Sequence, residues 1–102
     1  MSIEIKDQII SDINNNNIIL YMKGTKEMPM CGFSATVVKV LSMYDIDYKD
    51  VNVLEDPNIR INLSEHSNWP TIPQLFVKGE LIGGCDIVVE LHNSHELEKI
   101  LS

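Results

Sequence analysis

Apolar residues in this chain alternate between helical spacing and short runs of strand length, and the order of these switches restricts the fold more than any single residue does. Ile5, Ile9, Ile10 and Ile13 recur at helical intervals and predict a helix over Ile3–Ile13. The run Asn14-Asn15-Asn16-Asn17 stops it, because Asn favours turns and helix ends. Ile18–Met22 reads as a strand, and Gly24 to Met30, with its Gly and Pro, as a loop. A helix is expected from Gly32 to about Asp45, with Val37, Val38, Leu41 and Tyr44 on one side. Tyr48–Val53 is a second strand. Asp56 and Pro57 then open a helix, as N-cap and first helical residue, with Ile59 and Leu63 on its buried side. Gln74–Val77 and Leu81–Gly83 are strands joined by a tight turn at Lys78-Gly79. Asp86 is expected to cap a short helix, and Ser94 a last one carrying Leu97, Ile100 and Leu101. A βαβ half followed by a ββα half predicts an α/β fold, a mixed four-stranded sheet with flanking helices on both faces. No repeat or linker interrupts the pattern, so residues 1–102 read as a single domain.

The charge balance narrows the partners. Fifteen acidic against eight basic residues leave a net charge of −7, which argues against a nucleic-acid surface. The two cysteines, Cys31 and Cys85, are no disulfide framework, and within one chain they cannot complete a four-ligand metal site. Met1-Ser2-Ile3-Glu4-Ile5-Lys6 lacks the apolar run of a secretory leader and the Arg-rich character of a transit peptide. No stretch approaches the roughly 18 apolar residues of a membrane span. A cytoplasmic protein without membrane contact is expected.

Cys31 follows the loop and directly precedes the second expected helix. Free N–H groups and the positive end of the helix dipole stabilise a thiolate there, which favours a reactive cysteine over an inert one. Ser34 stands where a second cysteine would complete C-x-x-C, so no local resolving thiol exists. Gly32 permits close approach of a ligand backbone, and Phe33 reads as an apolar contact beside the sulfur or as core. In Trp69-Pro70-Thr71-Ile72-Pro73, a cis bond at Pro73 would turn the Ile72 N–H and C=O outward for strand-like pairing. An ordinary trans proline at a strand start is the other reading. Gly83-Gly84-Cys85-Asp86 is either an anion-accepting helix start or a plain turn. Lys23 and Arg60 are candidate carboxylate binders or solvated charges. His66, His92 and His95 form no metal-ligand pattern.

These residues together closely resemble the monothiol glutaredoxins of the CGFS type. The likeness rests on Cys31-Gly32-Phe33-Ser34, on Met22-Lys23-Gly24-Thr25 and Pro29, on Ser67 to Leu75, and on Gly79 to Asp86. It implies a thioredoxin fold and a glutathione site. In that site Lys23 and Arg60 bind the glycine carboxylate, Thr71 and Ile72 hold the backbone beside Pro73, and Gly84, Cys85 and Asp86 take the γ-glutamyl end. Phe33 flanks the sulfur of Cys31. The resemblance further implies a [2Fe–2S] cluster bridging a homodimer, with one Cys31 thiolate from each chain and one thiolate from each of two glutathiones. Iron–sulfur acceptor proteins and a BolA-like protein are the implied partners. The alternative activity is glutathione-dependent thiol–disulfide exchange through Cys31.

Overall fold

A computed structural model describes residues 4–102. Helix α1 spans Ile5–Asn15 and strand β1 Ile18–Met22. Helix α2 spans Gly32–Leu41, and strand β2 Lys49–Asn52 is followed by a single 3₁₀ turn at Val53–Glu55. Helix α3 is Pro57–Ser67, strands β3 and β4 are Gln74–Val77 and Glu80–Gly83, and helices α4 and α5 are Cys85–Asn93 and Leu97–Leu101. The four strands lie in the order β2-β1-β3-β4. β1 runs parallel to β2 and antiparallel to β3, and β3 is antiparallel to β4. This is the mixed sheet, with helices on both faces, that the apolar pattern predicts.

The central position of β1 and β3 explains their composition. Every residue of Ile18–Met22 and of Gln74–Val77 is buried, because both faces of these strands are covered. Leu20, Met22, Leu75 and Val77 pack with Val37 and Leu41 of α2, Val88 of α4, and Leu97 and Leu101 of α5. On the other face Ile19, Tyr21 and Phe76 pack with Ile9 and Ile13 of α1 and Leu63 of α3. The rings of Tyr21 and Phe76 meet edge to face, with centroids 5.9 Å apart. No helix among the described residues is long and apolar enough to cross a membrane.

Element ends depart from the sequence reading where local hydrogen bonds decide. The expected start of α1 at Ile3 lies outside the described residues. Its end falls within the Asn run, at Asn15, where Asn16 turns extended and both its backbone and side-chain N–H groups bond the Asp12 carbonyl. α2 stops at Leu41 rather than near Asp45. Ser42 bonds back to the Lys39 carbonyl, and Met43 and Tyr44 continue in tighter i−3 turns. Tyr44 therefore reaches the core from a turn, where its hydroxyl meets His92 Nδ1 at 2.7 Å. Tyr48 and Val53 fall outside β2. Asp56 does cap α3, accepting from the Asn58 N–H at 2.9 Å. Asp86 does not cap α4; Gly84 is its N-cap and Asp86 lies in the first turn. Ser94 does not start α5 but closes α4, because His95 at φ 66° reverses the chain. There the Glu96 N–H bonds the Leu91 carbonyl and the His95 N–H that of His92.

The two faces of α3 give a direct stability comparison. Leu63 is fully buried and Ile61 is exposed. Leu63→Ala is expected to cost about 2–5 kcal/mol, and Ile61→Ala less than about 0.5 kcal/mol, in urea unfolding of the two variants.

Candidate functional site

Strand directions bring the candidate residues together. β1 and β2 run parallel and β3 antiparallel, so the C-terminal ends of β1 and β2 lie beside the N-terminal end of β3. β4 is antiparallel to β3, so its C-terminal end comes to the same edge. Lys23, the Trp69–Pro73 segment and Gly84-Cys85-Asp86 follow from these ends, far apart in sequence but close in space.

Cys31 occupies the N-cap of α2, with extended backbone at φ −152° and ψ 140°. Its carbonyl accepts the first helical bond, from the Ala35 N–H at 2.9 Å. The Ser34 N–H holds the Cys31 thiol below its usual range, against partial burial, helped by the Phe33 N–H, the Lys23 charge and the Ser34 hydroxyl. The helix N-terminus therefore supports a thiolate, as the sequence position implies. Cys85 behaves oppositely. Burial pushes its thiol up, and the charges of Asp86 and Cys31 add to this, while the Thr36 hydroxyl partly offsets them. Both cysteines are free thiols, but only Cys31 is set up as a nucleophile or metal ligand.

Ser34 is fully buried, and its Oγ accepts from the Lys23 N–H at 3.1 Å. The residue standing where a second thiol would complete a dithiol pair instead ties the end of β1 to the first turn of α2. Phe33 is 61% exposed, which excludes the core reading.

A cleft of about 240 Å³ opens at the first turn of α2, where Phe33 lines it and Cys31 itself does not. Its walls bring together Phe33, Thr71, Ile72, Pro73, Gly84, Cys85 and Asp86, the cleft residues expected from the sequence. The Ile72–Pro73 bond is cis, the first of the two readings the sequence left open. A Cβ on Gly84 would sit 3.1 Å from the Pro73 carbonyl oxygen, so a glycine suits this close approach. Lys23 and Arg60 do not line the cleft. Lys23 is half-buried and acts on Cys31 through its charge. Arg60 is exposed on α3, with Nη2 3.4 Å from the Pro70 carbonyl, so it faces the outside of the loop that forms one wall.

Ile87 escapes the sequence reading of the site, and Trp69 and Gln74 stand in it only within motifs, without a role. Trp69 and Ile87 line the cleft, and the Trp69 Nε1 is buried without a partner. Gln74 is fully buried, and its Nε2 donates to the carbonyls of Trp69 at 2.9 Å and Thr71 at 3.1 Å. It braces the wall from beneath. A polar residue opening an otherwise apolar central strand was the available signal.

A protein-family model described as Glutaredoxin matches residues 18–82. The chain is 54% identical over 93 residues to probable monothiol glutaredoxin 2 of Rickettsia felis, covering 91% of this chain and 89% of that protein. The solution structure of reduced poplar apo GrxS14 superposes with a TM-score of 0.81 at 45% identity, covering 92% of this chain and 86% of that one. A monomeric truncated mutant of Trypanosoma brucei 1-C-Grx1 superposes with a TM-score of 0.87 at 38% identity, covering 98% of this chain and 91% of that one.

The opposed thiol shifts are directly measurable. Below its ordinary range, the Cys31 thiol retains its thiolate as pH falls; Cys85, raised, loses its thiolate first. Iodoacetamide near neutral pH is expected to alkylate Cys31 well before Cys85, with the Cys31 rate persisting to lower pH, as read by mass spectrometry. Ser34→Ala, which leaves the Lys23 N–H without its partner, is expected to slow Cys31 alkylation and to cost about 1–3 kcal/mol of stability.

Proposed function

The chain belongs to the glutaredoxin family, with the thioredoxin fold and the single active-site thiol of its monothiol members, and from that we propose that it binds glutathione and carries a [2Fe–2S] cluster shared between two chains, for delivery to acceptor proteins. The observation that carries this reading is the isolation of Cys31. One chain offers one stabilised, partly exposed thiolate. Among the described residues no group of three or more His, Cys, Asp and Glu side chains is placed to hold a metal ion. A [2Fe–2S] cluster takes four such ligands. Two Cys31 thiolates leave it half-coordinated, and two glutathione thiolates make up the rest.

The cleft fits glutathione in size and chemistry. Its volume, about 240 Å³, lies just under the roughly 300–1,000 Å³ usual for pockets that enclose a drug-sized ligand. A tripeptide therefore lies along it with its glycine end outside. Thr71 and Ile72 line it and suit strand-like pairing with the tripeptide backbone, and the N-terminus of α4 with Asp86 suits the zwitterionic γ-glutamyl end. Lys23 and Arg60, outside the cleft, suit the glycine carboxylate. Laid this way, the ligand's sulfur points toward Cys31. When bound, the cluster supplies the iron and sulfide that acceptor cysteines take. The chain's own residues hold glutathione, favour the Cys31 thiolate and leave it open to a second chain or a BolA-like protein. Met28, Met30 and Phe33, all more than 60% exposed around Cys31, give that approach an apolar surface.

The stabilised thiolate also favours a second activity. Cys31 can attack the glutathione sulfur of a mixed disulfide, releasing the substrate thiol and forming a Cys31–glutathione disulfide. A second glutathione thiolate then attacks that bond, restoring Cys31 and leaving as glutathione disulfide. With serine at position 34, the cycle depends wholly on free glutathione.

Anaerobic reconstitution with iron and sulfide tests the main reading. Cys31→Ser is expected to abolish the visible absorption of the cluster, and Cys85→Ser to keep most of it; the reverse pattern overturns the ligand assignment. Iron content of the gel-filtered dimer is expected to be high with glutathione and close to background with β-mercaptoethanol, which lacks both carboxylates and the ammonium group. Equal loading in the two thiols, or a stable cluster on a monomer, refutes the shared glutathione-ligated site. Arg60→Ala is expected to weaken glutathione binding by about 1 kcal/mol in calorimetry, less than a buried charged hydrogen bond because the guanidinium is exposed.

A further inference from the structure

The segment between Lys23 and Cys31 carries exposed side chains, yet its backbone is bound along the edge of the sheet. β2 is an edge strand, and side chains at alternate positions of it take up this segment. Asp50 Oδ2 accepts from the Lys26 N–H at 2.8 Å. The Lys26 ammonium donates to the Tyr48 carbonyl at 2.9 Å and stands 4.6 Å from the centre of the Tyr48 ring. Asn52 Oδ1 accepts twice, from the Gly24 N–H and the Leu54 N–H, each at 2.9 Å.

The first of the Asn52 bonds falls at the peptide unit that follows Lys23. The Lys23 N–H is held by Ser34 Oγ at 3.1 Å, and the Lys23 carbonyl accepts from the Met30 N–H at 2.9 Å. Lys23 is thus pinned on one side by α2 and on the other by β2. A lysine ammonium on a long flexible stem discriminates between ligands only when its backbone is fixed.

We propose that Asn52 is a positioning residue that fixes Lys23 for the carboxylate of the ligand in the cleft. The proposal rests on the glutathione reading given above. Neither Asn52 bond touches the cleft, so its effect on a ligand passes through Lys23.

Calorimetric titration compares glutathione with its glycine amide, which lacks only that carboxylate. Asn52→Ala is expected to weaken glutathione about fivefold and the amide by less than about twofold. In a Lys23→Ala background, Asn52→Ala is expected to have no further effect. Equal weakening of the two ligands, or a full Asn52 effect without Lys23, overturns the proposal and leaves Asn52 as a support of the fold. Equal affinity of the parent protein for both ligands also overturns it, and traces the failure to the carboxylate contact rather than to Asn52. Hydrogen exchange on the parent provides the check should Asn52→Ala not fold. The Gly24 amide is expected to exchange at least about tenfold more slowly than in an unstructured chain, and free exchange there overturns the clamp.

Discussion

The hydrogen bond from the Lys23 N–H to the buried Ser34 hydroxyl joins the end of a central strand to the first turn of the helix that carries the reactive thiol. Everything chemical in the molecule depends on this junction. It holds α2 with its N-terminus beside the edge where the strands β1, β2, β3 and β4 present their ends. Cys31 is thereby kept at the positive end of a helix, and Lys23 is kept within electrostatic reach of it. A cysteine at position 34 would offer a resolving thiol but a much poorer acceptor for a buried backbone N–H. The exchange of sulfur for oxygen therefore changes redox chemistry and strengthens the frame at one position.

The sheet explains why a site built from distant segments is stable. β1 and β3 are buried on both faces, so their register is fixed by two separate cores rather than one. A slip by one residue would exchange side chains of different size between those cores and spoil the packing of both. The loops at the strand ends inherit that rigidity. Gln74 conveys it to one cleft wall by gripping the Trp69 and Thr71 carbonyls, and Asn52 and Asp50 convey it to the segment before Cys31.

Charge is distributed sparingly around the thiol. The chain is acidic overall, with a net charge of −7, yet Lys23 and Arg60 stand on the flanks of the cleft and Asp86 on its wall. Two cations outside an apolar trough and one carboxylate on its wall are the charges that the proposed ligand, with two carboxylates and an ammonium group, calls for. Burial first, and then the Asp86 charge in the same helical turn, disfavour a second thiolate at Cys85.

Much of this was legible in the sequence because it is local. Element order follows from apolar period, the Asp56 cap and Pro57 follow from side-chain chemistry, and the lowered pKa of the Cys31 thiol follows from its place before a helix. Helix ends were less legible. Ser42, Ser94 and Asp86 take roles set by neighbouring carbonyls and by the left-handed turn at His95, which periodicity does not encode. The sequence motifs also named most of the cleft wall, since each motif lies at a strand end. Whether those motifs share one cleft, and on which side of it Arg60 stands, was decided only by the strand order β2-β1-β3-β4 and its register. The partners that Gln74 and Asn52 brace were likewise out of reach, although Gln74 stood out as the polar residue of an apolar strand, because each hydrogen bond goes to backbone that only the closed sheet brings within range. Composition and spacing act along the chain and therefore determine what each segment can form and which atoms can react. Register and strand order act across the chain and therefore decide which of those atoms meet.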